Sequence, residues 1–158
     1  MKRLTAFLMS FLLCIPMLSA VADASDESAP PRVLPALRSW TGSAGVFPVG
    51  ESTVISDGTN TGVGEKAARF FREMCGKNLT VTPSRVDKSA IRFELVKKLP
   101  SEIRHAEEGY LLTVTPAAAV VKAKTYVGLL YGAVTLVQMC YADGQGESIQ
   151  CGSAADYP

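Results

Sequence analysis

Apolar and polar residues alternate with a period of two in several segments, which is typical of strands that bury one face. The alternation is clearest in residues 90–96, where Ile91, Phe93 and Leu95 alternate with more polar positions. Further segments of strand composition are residues 39–49, 51–56, 79–82, 109–115 and 119–124. Only Pro116-Ala117-Ala118 separates the last two, which predicts a hairpin.

A period of three to four residues follows residue 62 and predicts an amphipathic helix. Its apolar positions are Ala67, Phe70, Phe71, Met74 and Cys75. An acidic side chain near the start suits the helix dipole, and the glycine after Cys75 suits a left-handed C-terminal cap. We therefore expect a surface helix with one buried face.

Residues 126–141 contain no charged side chain and predict a second helix that is apolar on every side. Gly128 and Gly132, one turn apart, would let another backbone approach closely. One sheet face cannot cover such a helix, so we expect its other side to contact a second body outside this chain. The residues expected in that contact are Leu129, Leu130, Ala133, Val134, Leu136 and Val137.

These elements predict an α/β fold of the α+β type, with a mixed or mainly antiparallel sheet and both helices on one face. The alternation in residues 90–96 supports this arrangement, because it requires a solvated opposite face. The folded domain is expected to span residues 36–142. Residues 143–158, which begin with a glycine-rich loop, are interpreted as a connector.

The N-terminus has the features of a secretory signal peptide. Lys2 and Arg3 precede an apolar stretch at residues 4–18, and small residues around Ala22 offer a cleavage site. A membrane anchor is the alternative, but the stretch is short for a span of about 20 residues. We expect a signal peptide at 1–24, export to the periplasm or the extracellular space, and no membrane attachment after cleavage. Residues 25–35, rich in Ser, Pro and acidic side chains, are expected to form a linker.

Composition narrows the possible partners. The chain is 47% hydrophobic and 20% charged, which is the balance of a folded domain. A net charge of +1 and the absence of a long basic run argue against nucleic acid as a partner.

Beyond the leader three cysteines remain, an odd number for an oxidising compartment. Cys140 and Cys151 flank the glycine-rich loop and could close it easily. We therefore predict a Cys140–Cys151 disulfide in preference to a pair that uses Cys75.

No motif in the sequence predicts an active site, a metal site or a cofactor site. His105 is the single histidine, and the adjacent carboxylates Asp26 and Glu27 lie in the linker, where nothing would position them. Gly62 to Ala67 matches the dinucleotide-binding pattern G-x-G-x-x-A, but such a short match is more often a simple glycine-rich turn. Trp40 could stack on a sugar; as the only tryptophan, entering a strand, it is more often a core residue.

Residues 33–158 resemble the N-terminal domain of family 20 glycoside hydrolases, the β-N-acetylhexosaminidases. The likeness is carried by residues 108–114 (EGYLLTV), residues 128–138 (GLLYGAVTLVQ) and residues 156–158 (DYP). The resemblance implies that a (β/α)₈ barrel follows and performs substrate-assisted hydrolysis. It also implies that the barrel is the partner of the apolar helix. No catalytic position can be carried over, because none lies in this chain.

We therefore expect a noncatalytic N-terminal accessory domain of an exported β-N-acetylhexosaminidase, inactive alone and without a cofactor. The parent enzyme would act on terminal N-acetylglucosamine or N-acetylgalactosamine. Two alternatives stay open: the corresponding domain of another glycosidase (family 84 or α-glucuronidase type), and a standalone secreted carbohydrate-binding module.

Overall fold

Seven strands and two helices account for most of the chain that the structure, a computed structural model, describes (residues 29–157). In chain order they are β1 (Thr41–Pro48), β2 (Val54–Asp57), α1 (Val63–Cys75), β3 (Thr80–Thr82), β4 (Ala90–Leu95), β5 (Tyr110–Val114), β6 (Ala118–Ala123), α2 (Tyr126–Ala142) and β7 (Ser148–Asp156). The predicted signal peptide and the first part of the predicted linker lie outside the described residues.

The strands form one mixed sheet in the order β1-β7-β5-β6-β4-β2-β3. Pairing is antiparallel from β1 through β6 and parallel from β6 through β3. The predicted hairpin is β5–β6, in which Tyr110 pairs with Ala123 and Val114 with Ala119. The prediction of a mixed sheet is confirmed.

Both helices lie on the same face of the sheet, as predicted. Helix α1 contacts β2 and β3, α2 contacts the strands from β4 to β7, and the two helices contact each other. The opposite face of β4 is polar: Arg92 and Glu94 form an ion pair, and Lys122 on β6 adds another to Glu94 at 3.5 Å. Arg92 and Glu94 in this polar layer are only partly covered, whereas Ile91 and Phe93 on the helix-bearing face are buried.

Helix α1 ends where the sequence predicts. Gly76 adopts a left-handed conformation with φ of 68°, and its N–H donates to Arg72 O. The buried face is narrower than the apolar stripe, however. Ala67 and Phe71 are fully buried, whereas Met74 is 45% exposed.

Residues 148–156 form strand β7. This corrects the expectation that residues 143–158 are a connector. The strand lies inside the sheet, antiparallel to β1 on one side and to β5 on the other. Its Gly, Ser and Ala residues have no strong preference for strands. Pairing with β1 and β5, which are distant in sequence, therefore determines its conformation. The predicted linker also reaches the core, because Val33 is only 6% exposed.

Candidate docking surface on helix α2

The inner sides of α2 are covered by the chain itself. Gly128 and Gly132 permit this close approach: an added Cβ would overlap the carbonyl oxygen of Gly109 at the first position and the Val121 side chain at the second. The backbone that comes close is therefore that of the chain's own hairpin. The helix starts at Thr125, whose hydroxyl accepts a hydrogen bond from Gly128 N at 3.2 Å.

Four of the six residues expected to contact a second body lie in the chain's own core, which corrects that expectation. Leu129, Ala133 and Leu136 are fully buried, and Val137 is 1% exposed. Leu130 and Val134 are half-buried. The correction has a geometric cause: α1 packs beside α2 and covers a side that the sheet alone would leave open.

What remains open on α2 is one stripe, here called the outer stripe, with the helical spacing i, i+3, i+4, i+7, i+11 and i+14. Its members are Val127, Leu130, Tyr131, Val134, Gln138 and Tyr141. Val127 and Tyr131 are each 40% exposed and Tyr141 is 61% exposed. Gln138 is the only member with a side-chain amide, so the stripe is largely apolar or aromatic.

Beside the C-terminal half of the stripe runs an open groove of about 840 Å³, lined in part by Leu34 and Met74. Gln138 fixes the groove wall, because its Oε1 accepts from Leu34 N at 2.6 Å and its Nε2 donates to Leu34 O at 3.0 Å. Neither apolar residue was expected on this surface from the sequence. Leu34 fell in the presumed linker, and Met74 was assigned to the buried face of α1.

A buried polar network fixes the end of β7. Asp156, 7% exposed, accepts hydrogen bonds from Tyr110 Oη at 2.8 Å and from Arg38 N at 3.1 Å. The same Tyr110 hydroxyl lies 2.7 Å from Thr135 Oγ1 on α2, and burial raises the pKa of Tyr110 well above its usual range. Arg38 also donates from Nε to Tyr157 O at 2.7 Å. The chain therefore leaves the sheet in a fixed direction.

The glycine-rich turn before α1 is occupied by the chain's own carboxylate. Asp57 Oδ2 accepts from Gly64 N at 2.8 Å, and Oδ1 accepts from Thr59 N at 3.0 Å. A Cβ on Gly64 would lie 2.8 Å from Asp57 Cβ, which explains the glycine. The G-x-G-x-x-A pattern is thus a turn that brings the chain's own carboxylate to the helix N-terminus, the kind of position that favours an anion.

The remaining candidate residues from the sequence do not form a binding or metal site in the described part of the chain. Trp40 is half-buried against the core, and an added Cβ on Gly152 would overlap its indole ring. The His105 ring lies against the ring of Tyr157, with centroids 5.5 Å apart and a tilt of 49° between the planes. Within residues 29–157 no three His, Cys, Asp or Glu side chains are grouped to hold a metal ion. Asp26 and Glu27 lie outside the described residues.

Cys140 is buried and Cys75 is partly exposed, and both are free thiols. Cys140 and Cys151 belong to the same core cluster, and their pairing stays a prediction. Neither helix in the described part of the chain is long and apolar enough to cross a bilayer.

Several solved structures that share this fold are β-N-acetylhexosaminidases or β-N-acetylglucosaminidases. The Streptomyces plicatus N-acetyl-β-hexosaminidase is 25% identical, with a TM-score of 0.66, over 84% of this chain and 28% of that chain. The family 20 β-N-acetylhexosaminidase from Streptomyces coelicolor A3(2) is 24% identical, with a TM-score of 0.66, over 82% of this chain and 28% of that chain. The Vibrio harveyi family 20 exo-β-N-acetylglucosaminidase shares the fold at 16% identity and a TM-score of 0.62, over 84% of this chain and 19% of that chain.

This chain thus spans little more than a quarter of the length of these Streptomyces enzymes. No curated protein sequence matches it. The family model for glycosyl hydrolase family 20, domain 2, matches residues 30–157, which is nearly every residue that the structure describes. The chain therefore belongs to the family of glycosyl hydrolase family 20 domain 2.

Proposed function

We propose that this chain is the noncatalytic accessory domain of an exported β-N-acetylhexosaminidase and that it stabilises a (β/α)₈ barrel by docking through the outer stripe. The parent enzyme would hydrolyse terminal N-acetylglucosamine or N-acetylgalactosamine with the substrate's own acetamido group as nucleophile. The observation that carries the proposal is the exposed, largely apolar outer stripe on an otherwise buried helix.

Exposure of this stripe is unfavourable for an isolated domain. Burying apolar surface contributes about 25 cal/mol per Å², and contiguous exposed patches on monomers usually mark interfaces. Tyr131 and Tyr141 suit an interface, because each ring offers a large apolar area and a polar tip. Leu34 and Met74 widen the same surface around the groove.

The length of the relatives supports a barrel as the occupant. This chain covers 28% of the two Streptomyces enzymes, so nearly three quarters of each lies in other parts. A (β/α)₈ barrel takes about 250 residues and fits into that remainder. The hydrogen bonds from Arg38 to Asp156 and Tyr157 would fix the direction in which a following domain begins.

The alternatives receive less support. A carbohydrate-binding module built on Trp40 would present the indole to solvent, whereas this ring packs on the core. A parent from family 84 or of the α-glucuronidase type would use a similar docking surface, but the matching family model is that of family 20.

The docking proposal is tested by one substitution in two contexts. Tyr131→Lys in the isolated chain should lower binding of a hydrophobic dye and self-association, because it removes exposed apolar surface. In the parent enzyme the same change should lower the melting temperature and the activity that survives heating. Leu95→Lys is the matched control, since Leu95 is 45% exposed at the end of β4, and it should have neither effect in the parent.

The docking proposal would be overturned if Tyr131→Lys left the melting temperature of the parent unchanged and the unsubstituted isolated chain was a monomer that bound no dye. The noncatalytic role has a separate test. The purified chain should not hydrolyse a chromogenic N-acetylglucosaminide above the buffer rate, and turnover abolished by a point mutation in this chain would contradict it.

A further inference from the structure

Two cysteines from different helices meet at the junction of α1 and α2. Cys75 is the last residue of α1, and Cys140 lies in the last turn of α2. The Cys75 thiol donates to Val137 O at 3.7 Å, one turn before Cys140. Each thiol also acts on the pKa of the other, as expected for neighbouring groups at the junction of two packed helices. Side chains 65 positions apart in sequence (140 minus 75) are thus brought together by helix packing.

We propose that Cys75 and Cys140 are an oxidation site, and that a disulfide between them joins the C-terminal ends of the two helices. One cysteine lies on each of two packed helices, and a disulfide between them requires their Cα atoms to lie within about 7 Å. The inference concerns the chain's own stability and does not depend on docking to a barrel.

The reaction is thiol–disulfide exchange with an external disulfide. The Cys75 thiolate attacks one sulfur of that disulfide, whose S–S bond breaks and releases one thiolate. The Cys140 thiolate then attacks Cys75 Sγ and displaces the second thiolate. The two protein thiols lose two protons and two electrons, and the external disulfide is reduced to two thiols.

Access favours Cys75 as the first nucleophile. Cys75 is partly exposed and lines the groove beside the outer stripe, whereas Cys140 is fully buried. Burial raises the pKa of the Cys75 thiol, and the hydrogen bond from Cys140 and the charge of Lys77 partly oppose that rise. Burial also raises the pKa of Cys140, and the neighbouring Cys75 adds to the rise. Exchange should therefore be slow at neutral pH and faster in mildly alkaline buffer.

The competing pair is Cys140–Cys151, which the sequence predicts from the short loop between them. Both pairings use Cys140, so they exclude each other and one experiment decides between them. The structure favours Cys75 as the partner, since its thiol contacts α2 at Val137 O, one turn before Cys140.

Peptide mapping separates the two pairings. The purified chain is oxidised with oxidised glutathione at mildly alkaline pH, remaining thiols are alkylated, and the product is digested without reduction. Trypsin releases Cys75 in residues 73–77, but it leaves Cys140 and Cys151 in one peptide, because no Lys or Arg follows Lys124. A second protease that cleaves after Glu147 separates these two cysteines. The expected product joins the Cys75 peptide to the Cys140 peptide.

Thermal unfolding provides a second measurement. The oxidised chain should melt roughly 5–15 °C above the reduced chain, because the cross-link closes a long loop. Cys75→Ala should abolish this difference, whereas Cys151→Ala should keep it. Cys75 is partly exposed, so its replacement leaves the core intact.

Three outcomes would overturn the proposal: complete alkylation of both thiols after oxidation, glutathione retained on Cys75 without release, or a Cys140–Cys151 link in the doubly digested sample. If Cys151→Ala fails to fold, mapping of the unsubstituted chain still decides between the pairings.

Discussion

Single residues of α2 and β5 set how closely the helix approaches the sheet. At Gly128 and Gly132 the missing side chains let α2 lie directly on the hairpin β5–β6. Their spacing was visible in the sequence and indicated a close backbone approach. Which backbone would approach was not visible, because that depends on the sheet order.

We predict that Gly132→Ala lowers the free energy of unfolding by about 1–3 kcal/mol, the usual cost of overpacking a core. The added methyl group would overlap Val121 Cγ1 and lie 3.1 Å from the ring of Tyr110. Urea unfolding of the purified chain measures the loss. Gly50→Ala is the control, since its added methyl group meets nothing within 4 Å and should change stability by less than about 0.5 kcal/mol. Equal stability of the two variants would contradict the close approach.

Tyr110→Phe should cost about 1–3 kcal/mol of unfolding free energy, because it leaves the buried Asp156 carboxylate without its hydroxyl donor and Thr135 Oγ1 without its hydroxyl partner. The Tyr110 hydroxyl lies between Asp156 on β7 and Thr135 on α2, and the residue is 2% exposed. Tyr141→Phe removes the same atom at a site that is 61% exposed and should be nearly neutral. Chemical denaturation of both variants under the same conditions tests the difference.

At the scale of elements, helix positions and ends were the most predictable features. The period in α1 and the absence of charge in α2 predicted both helices, and Gly76 predicted the first C-terminus. Burial within a helix was less predictable: Val137 is 1% exposed, whereas Tyr141, one turn further on, is 61% exposed. Helical spacing alone does not say which sides a neighbouring helix covers.

The hydroxyl of Thr125 caps the N-terminus of α2. Thr125→Ala removes the hydroxyl that accepts from Gly128 N and donates to Glu107 O, so we expect a loss of about 0.5–2 kcal/mol in unfolding free energy. Thr125→Ser keeps the hydroxyl and should recover most of that loss. The comparison of their urea midpoints is the measurement, and an equally destabilised Ser variant would argue against the cap.

At the scale of the whole molecule, sheet order was the part that sequence could not supply. The prediction of a mixed or mainly antiparallel sheet followed from the alternation in residues 90–96. The position of β7 did not, because its residues match neither a strong strand pattern nor a nearby partner. The predicted domain end at residue 142 therefore left out a strand that contacts two others.

A chain that ends at Ala142 should fail to fold into a stable sheet. Without β7, β1 loses its partner in the described sheet, and β5 loses its partner on one side. The carboxylate that accepts from Tyr110 and Arg38 is lost as well. We expect no cooperative thermal transition by circular dichroism, whereas the chain ending at Pro158 should show one. A cooperative transition in the shorter chain would place β7 outside the stable core.

The place of β7 also determines when the domain can form during its synthesis. Strand β1 emerges from the ribosome early, but the strand it pairs with follows about 100 residues later. At roughly 5–20 residues per second, β1 waits on the order of 5–20 s for that partner. Throughout this interval β1 is open to pairing with other chains, and the free edge of β5 is open from its own synthesis until β7 follows. Translation speed and chaperone access near the end of this segment should therefore affect the yield of soluble protein more than they would for a fold completed strand by strand.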